Sequence, residues 1–301
     1  MRKFLKNIFY FLLITSFCAC DFVDQPFSEI QTGNNDPVPP ITDTIPPVIQ
    51  DTVIRKILIE DFTGHTCGNC PAAANTAKQI QDLYGKKVIV VGVHSGYFAK
   101  LSTVAGTKYK TDFRTIAGEA YNNLWKNDVA GNPNGFVNRS KIINSNIIIQ
   151  PSAWGQAVEL LKNALPDFKI ELITVYDAGT RSLKTIAKNK ALNNLSKKYN
   201  LVVYLIEDNV QDWQKDYSFP SGPQQDVENY MHRHVLRDNI NGTWGEEIVA
   251  TSLAAGDSVI KTYNNYLINP SWKANDCSVV AYIYDVDTYE IMQAEEVHII
   301  P

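Results

Sequence analysis

The chain has 301 residues, room for two domains at roughly 100–200 residues each. Hydrophobic residues make up 45% of it, charged residues 20% and aromatic residues 11%, a balance that excludes disordered, collagen-like and multi-span membrane chains. The net charge is −4, from 28 basic and 32 acidic side chains. With no long basic run outside the N-terminus, the electrostatic footprint of a nucleic-acid binder is missing, and no nucleic-acid partner is expected. Five cysteines are too few for a disulfide scaffold, so each needs its own explanation.

Arg2, Lys3 and Lys6 precede an apolar run from Ile8 to Phe17, the charge-then-hydrophobe pattern of a secretory signal and too short to span a bilayer. The following Phe17-Cys18-Ala19-Cys20-Asp21 resembles the lipobox of bacterial lipoproteins. Residues 1–19 are therefore expected to be a signal peptide, cleaved before Cys20, whose thiol would carry the lipid. Diacylation at Cys20 would anchor the protein to a membrane without spanning it. Residues 20–52 contain Pro26, Pro37, Pro39, Pro40, Pro46 and Pro47 and no helical or strand period. They read as a tether, reaching up to about 100 Å if extended as polyproline. Within it and at its end, Asp43-Thr44-Ile45 and Asp51-Thr52-Val53 resemble O-glycosylation sites of exported Bacteroidetes proteins.

Val53 to Asp61 is β-branched and apolar, as a buried strand requires. A turn then leads into Cys67-Gly68-Asn69-Cys70-Pro71. Ala73, Ala77, Ile80 and Tyr84 recur at helical spacing with Gly85 as a stop, and Lys87 to His94 predicts a second strand. Strand, Cys-x-x-Cys, helix and strand make a βαβ unit with the cysteines at a helix N-terminus. There the unpaired N–H groups and the helix dipole stabilise a thiolate, and Cys70, one turn inside, can reach back to resolve a mixed disulfide. On this reading Cys67 is exposed and reactive and Cys70 shielded. A structural disulfide or half of a zinc site would show the same spacing. A zinc site needs two further ligands, and His65, His94, His232, His234, His298 and Cys277 offer no ligand spacing beyond a lone His-x-His. No metal and no cofactor are expected.

Further along, Phe113, Ile116, Ala117, Ala120, Tyr121 and Leu124 form a helical stripe, as do Trp154, Ala157, Val158, Leu161 and Leu165. The first domain thus spans 53–166. Its Ile57-Leu58-Ile59-Glu60-Asp61-Phe62 strand followed by Cys67-Gly68-Asn69-Cys70 resembles the thioredoxin superfamily. That resemblance implies roles: Asp61 at the buried acidic position that moves protons for the resolving thiol, and Asn132-Pro133 as the cis-proline that presents backbone to an extended substrate, with Phe136-Val137-Asn138-Arg139 as the strand after it. Thr66 stands where the family usually has tryptophan.

From Phe168 the period changes. The segments 168–177, 181–190, 201–210, 230–238, 257–266, 277–287 and 289–300 are short and rich in Val, Ile, Tyr and Thr, without intervening helices. An antiparallel β-sandwich of immunoglobulin-like type is expected over 167–301, giving an overall class of α/β plus all-β with separate cores. His232 and His234 would share a face of one strand, read as a solvent-facing polar stripe, and Cys277 reads as a small core residue.

The signal, the tether, Thr-Gly-His-Thr-Cys-Gly-Asn-Cys-Pro-Ala and Tyr230-Met231-His232-Arg233-His234-Val235-Leu236-Arg237 together resemble the Bacteroidetes outer-membrane lipoproteins related to their 28-kilodalton outer membrane protein. The resemblance implies an outer-membrane, lipid-anchored address on the periplasmic or cell-surface face. Two functions stay open. One is a thiol-disulfide oxidoreductase-like activity on the thiols or disulfides of exported proteins, with Cys67 attacking, Cys70 resolving, Asp61 relaying protons and Pro133 positioning substrate. The other is a non-catalytic surface module that binds an unknown partner and keeps Cys67–Cys70 as a structural disulfide.

Overall fold

Ile57–Thr63 (β1) and Val88–His94 (β2) are buried at every position, the signature of strands covered on both faces. They pair in parallel from Ile57↔Val88 to Thr63↔His94, joined by the helix Cys70–Tyr84 (α1), which buries Ala73, Ala77 and Ile80 and ends at Gly85. The computed structural model describes residues 53–104 and 106–300. The expected signal, Cys20 and the tether lie outside these residues.

Next in order come the helices Ile116–Trp125 (α2) and Asn127–Ala130 (α3), the strand Asn134–Val137 (β3), and the helix Pro151–Leu161 (α4). Thr115 caps α2, its hydroxyl accepting the Gly118 N–H. β3 runs antiparallel to β1, Asn134 opposite Phe62. The two predicted stripes are helical over most of their length, but Ile116 and Leu165 are 86% exposed and lie at or beyond the helix ends, where the periodicity has no partner surface to face.

The remainder is β: Phe168–Asp177 (β4), Ser182–Ala191 (β5), Tyr199–Glu207 (β6), Val210–Lys215 (β7), Asp226–His232 (β8), Val235–Asn239 (β9), Glu246–Val249 (β10), Ser258–Leu267 (β11), Cys277–Asp285 (β12) and Ile291–His298 (β13). These strands do not close on themselves. The large sheet runs β13-β12-β6-β9-β2-β1-β3, with β10 also on β6, and so passes through the expected boundary at 166/167. β9 reaches β2 at Gly92↔Val235, where the Gly92 N–H donates to the His234 carbonyl at 2.8 Å. A second sheet, β11-β5-β4, stands apart, as does the β7–β8 hairpin.

Three cores result. Phe168, Leu183 and Ala187 of the small sheet pack on Leu201, Val203, Val279 and Ala281 of the large one. Helices α1 and α4 cover Ile57, Ile59, Val88 and Val90. Between the halves, Leu58, Phe62 and Val91 from β1 and β2 share a core with Val202, Tyr204, Val280 and Tyr282 from β6 and β12, and with Tyr121 of α2. The described residues consequently form one compact unit, a mixed α/β structure dominated by sheets. Among the described residues no helix is long and apolar enough to cross a membrane.

Candidate functional site

The C-terminal end of β1 leads into a turn held from two sides. On one, Thr66 donates both its N–H and its hydroxyl to the Phe98 carbonyl, at 3.1 and 3.0 Å. The approach is close enough that a Cβ on Gly64 would meet the Phe98 carbonyl carbon at 2.4 Å. On the other side the β7–β8 hairpin folds back: Lys215 N–H donates to His65 O at 2.7 Å, Tyr217 N–H to Gly68 O at 2.8 Å, and Gln214 Nε2 to Cys67 O at 3.0 Å. The Tyr217 ring lies where a Cβ on Gly68 would stand, 2.5 Å away.

Inside this clamp Cys67 and Cys70 form a disulfide. The cysteines sit at the helix start as expected, but α1 begins at Cys70, which is its first residue and not one turn inside it. Cys67, expected to be exposed, is 3% exposed, and Cys70 1%. The physical reason is the hairpin, a segment some 150 residues away in sequence whose return no local pattern announces.

Asp61 faces the α1 side of the sheet, with Cys70, Pro71, Ala74, Tyr230, His94 and His232 around a cavity of about 30 Å³, room for a water molecule. Its Oδ1 has no hydrogen-bond partner, and burial alone pushes its carboxyl up to about 7. A second, larger cavity of about 390 Å³ also has Asp61 in its wall, with Lys78, Tyr230 and Arg233. Pro133 follows a cis peptide bond and precedes Asn134, which pairs with Phe62. It therefore stands at the same sheet end as the cysteine turn but borders neither cavity. So the structure brings Cys70, with its disulfide partner Cys67, to Asp61 and leaves Pro133 at the same sheet end but outside the cavities around Asp61.

Two features escaped the sequence reading. The first is a histidine–aromatic cluster behind the turn: His94 stacks on Phe113 at 4.8 Å, and His232 contacts Phe113 at 5.0 Å and His94 at 5.5 Å, with His65 edge-on to Phe113 at 5.4 Å. His232 is 4% exposed, which corrects the solvent-facing stripe. β8 ends at His232, and His234 sits in a turn with φ of 52°, so the two do not share a strand face. Burial pushes His232 down to about 4 and, with charge repulsion from His232 and His65, His94 well below its ordinary value. Among the described residues no group of three or more His, Cys, Asp or Glu is placed to hold a metal ion. Cys277 is free and buried, as expected of a core residue.

The second is Arg139. Its Nε and one amino group grip the Glu60 carboxylate bidentately at 2.7 Å, and the same amino group reaches Tyr282 Oη at 2.9 Å. Tyr204 donates to Glu60 at 2.9 Å, and the guanidinium lies against the Tyr121, Trp125 and Tyr282 rings. Both charged side chains are fully buried. The sequence signal was present only as an acid in an apolar strand and a base after another. Nothing local pairs them.

With the geometry in place, known proteins can be set beside it. Among solved structures, HBP35 of Porphyromonas gingivalis superposes with a TM-score of 0.56 at 18% identity, over 81% of this chain and 75% of that one, which indicates a shared fold. A domain of the outer membrane lipoprotein Omp28 from Porphyromonas gingivalis is 27% identical over 45% of this chain and 90% of its own, with a TM-score of 0.29. No curated protein sequence matches. The family model for outer membrane protein Omp28 matches residues 118–300, more than half of the chain, taking in Pro133, Arg139 and the hairpin but not the cysteine pair. The chain belongs to the Omp28 family of outer membrane proteins.

Proposed function

We propose that this protein is a lipid-anchored outer-membrane thiol-disulfide oxidoreductase, its residues 53–166 a thioredoxin-like unit and its strands from 168 onward an immunoglobulin-like sandwich fused to it through one sheet. The observation that carries the reading is the Asp61 carboxyl, buried beside Cys70 with its Oδ1 unpartnered. A buried carboxyl without a partner is costly, and a disulfide that served only as a staple would have no use for it. A group that titrates near 7 is instead matched to proton exchange at neutral pH.

A thiolate of an exported polypeptide attacks Sγ of Cys67, the Cys67–Cys70 bond breaks, and its electron pair leaves on Sγ of Cys70. Asp61 in its acid form gives the proton that converts Cys70 to the thiol, directly or through a water in the small cavity. A second substrate thiolate then attacks the substrate sulfur of the mixed disulfide, releasing substrate disulfide and the Cys67 thiolate. In the reverse direction the Asp61 carboxylate takes the proton from Cys70 as it attacks. A Cys70→Ser variant should trap mixed disulfides between Cys67 and polypeptide partners, visible as thiol-reversible high-mass bands. Their absence in cells that express the variant would count for the competing reading, a surface-binding module with a structural disulfide, which the burial of both sulfurs favours.

Cys20 is the proposed lipid site and residues 20–52 the tether. Cys20→Ala should leave the protein in the soluble fraction or as an uncleaved precursor. A processed variant still bound to membranes would refute the anchor.

A further inference from the structure

The segment 214–217 alternates its main-chain donors. Lys215 and Tyr217 N–H point to the cysteine turn, on His65 O and Gly68 O, while Asp216 N–H points away to Gln225 O, all at 2.7–2.8 Å. Two donors spaced as on one edge of an extended segment thus face carbonyls of the turn, and the side chains do the rest: Gln214 caps Cys67 O and the Tyr217 ring rests on Gly68, flat against a position with no Cβ. We propose that the edge formed by His65, Cys67 and Gly68 is the docking site for an extended polypeptide segment of the substrate, and that the hairpin occupies it as an intramolecular stand-in. The proposal rests on the redox reading given above and names its substrate class: a peptide in β-conformation that offers N–H donors two residues apart and an aromatic side chain over Gly68.

The 214–217 end of the hairpin is suited to leaving, while His232 at the end of β8 keeps its place against His94 and Phe113. The hairpin belongs to neither of the two larger sheets, Tyr217 is 54% exposed, and its ties to the 108–111 segment are polar or cationic: Asp226 with Lys108 and Tyr109, Asp212 with Thr111, and Lys108 over the Trp213 ring. Lys215 pairs with Asp226 within the hairpin itself, so opening need not break that pair.

The test is the rate at which dithiothreitol reduces Cys67–Cys70 in the full-length protein, followed by alkylation and mass measurement. Tyr217→Ala changes an exposed side chain and should not compromise folding; Gln214→Ala is the second variant. Each should speed reduction about tenfold, the loss of about one net hydrogen bond or its equivalent in packing. A synthetic peptide with the sequence 211–218, added in excess to the Tyr217→Ala protein, should slow the reaction again, and the same peptide with proline in place of its tyrosine, lacking the N–H for Gly68 O, should not. Rates equal to wild type in both variants would overturn the proposal, as would equal protection by the two peptides. A pair too stable to exchange with thiols at equilibrium would instead refute the redox reading and leave the ratio of rates intact.

Discussion

Glu60 and Asp61 are neighbours on one strand, both acidic and both buried, and they have opposite fates. Alternation sends Glu60 to the face shared with β6 and β12, where Arg139, Tyr204 and Tyr282 satisfy it. It sends Asp61 to the face under α1, where one carboxylate oxygen has no partner. The first acid is part of the join between the two halves of the molecule. The second destabilises the fold when charged and is free for chemistry. The lesson is that a buried charge is read by its surroundings: a complete set of partners marks structure, and an incomplete one beside a cysteine pair marks a candidate for function.

Glu60→Gln would leave Arg139 charged, buried and short of its bidentate partner, and should cost about 3–5 kcal/mol, read as a shift of the urea midpoint at constant slope. A loss under about 1 kcal/mol would mean that the join does not depend on the pair.

Asp61→Asn should go the other way, and with a pH signature. Because the folded-state carboxyl is raised from 3.8 to about 7, the native protein holds a proton through that window that the unfolded chain has lost, so Asp61 lowers stability as pH rises from about 4 to 7. The asparagine variant should therefore match wild type near pH 4 and exceed it by about 3–4 kcal/mol at pH 8, at roughly 1.4 kcal/mol per unit. Equal stability of the two proteins at pH 4 and pH 8 would place Asp61 in contact with a partner or with bulk water.

How much of this was legible in the sequence follows a physical division. Local pattern carried β1, α1 and β2, the helical stripes, most strands of the second half and the placement of Cys70 at a helix start, because periodicity and end signals are written in neighbouring residues. Asp61 and Pro133 were singled out by likeness to a family and not by local pattern, and the fold puts both at the sheet end that carries the cysteine turn. Pairing at long range was not legible. The segment 230–238 reads as one strand, yet the positive φ of His234 breaks it into β8, which turns over the cysteines, and β9, which joins β2. That single break hides Cys67, buries His232 and carries the sheet past the expected boundary. The Glu60–Arg139 pair is of the same kind, since its partners lie 79 residues apart.

Cys67–Cys70 as a redox couple under a displaceable cover, as proposed, must come to equilibrium with glutathione. Full-length protein brought to equilibrium in buffers of graded reduced and oxidised glutathione at pH 7, then alkylated and weighed, should pass from disulfide to dithiol within the accessible range, at a potential above about −300 mV. A pair that stays fully oxidised in the most reducing of these buffers, after times long enough for hairpin opening, would have a potential below about −300 mV and would contradict the account.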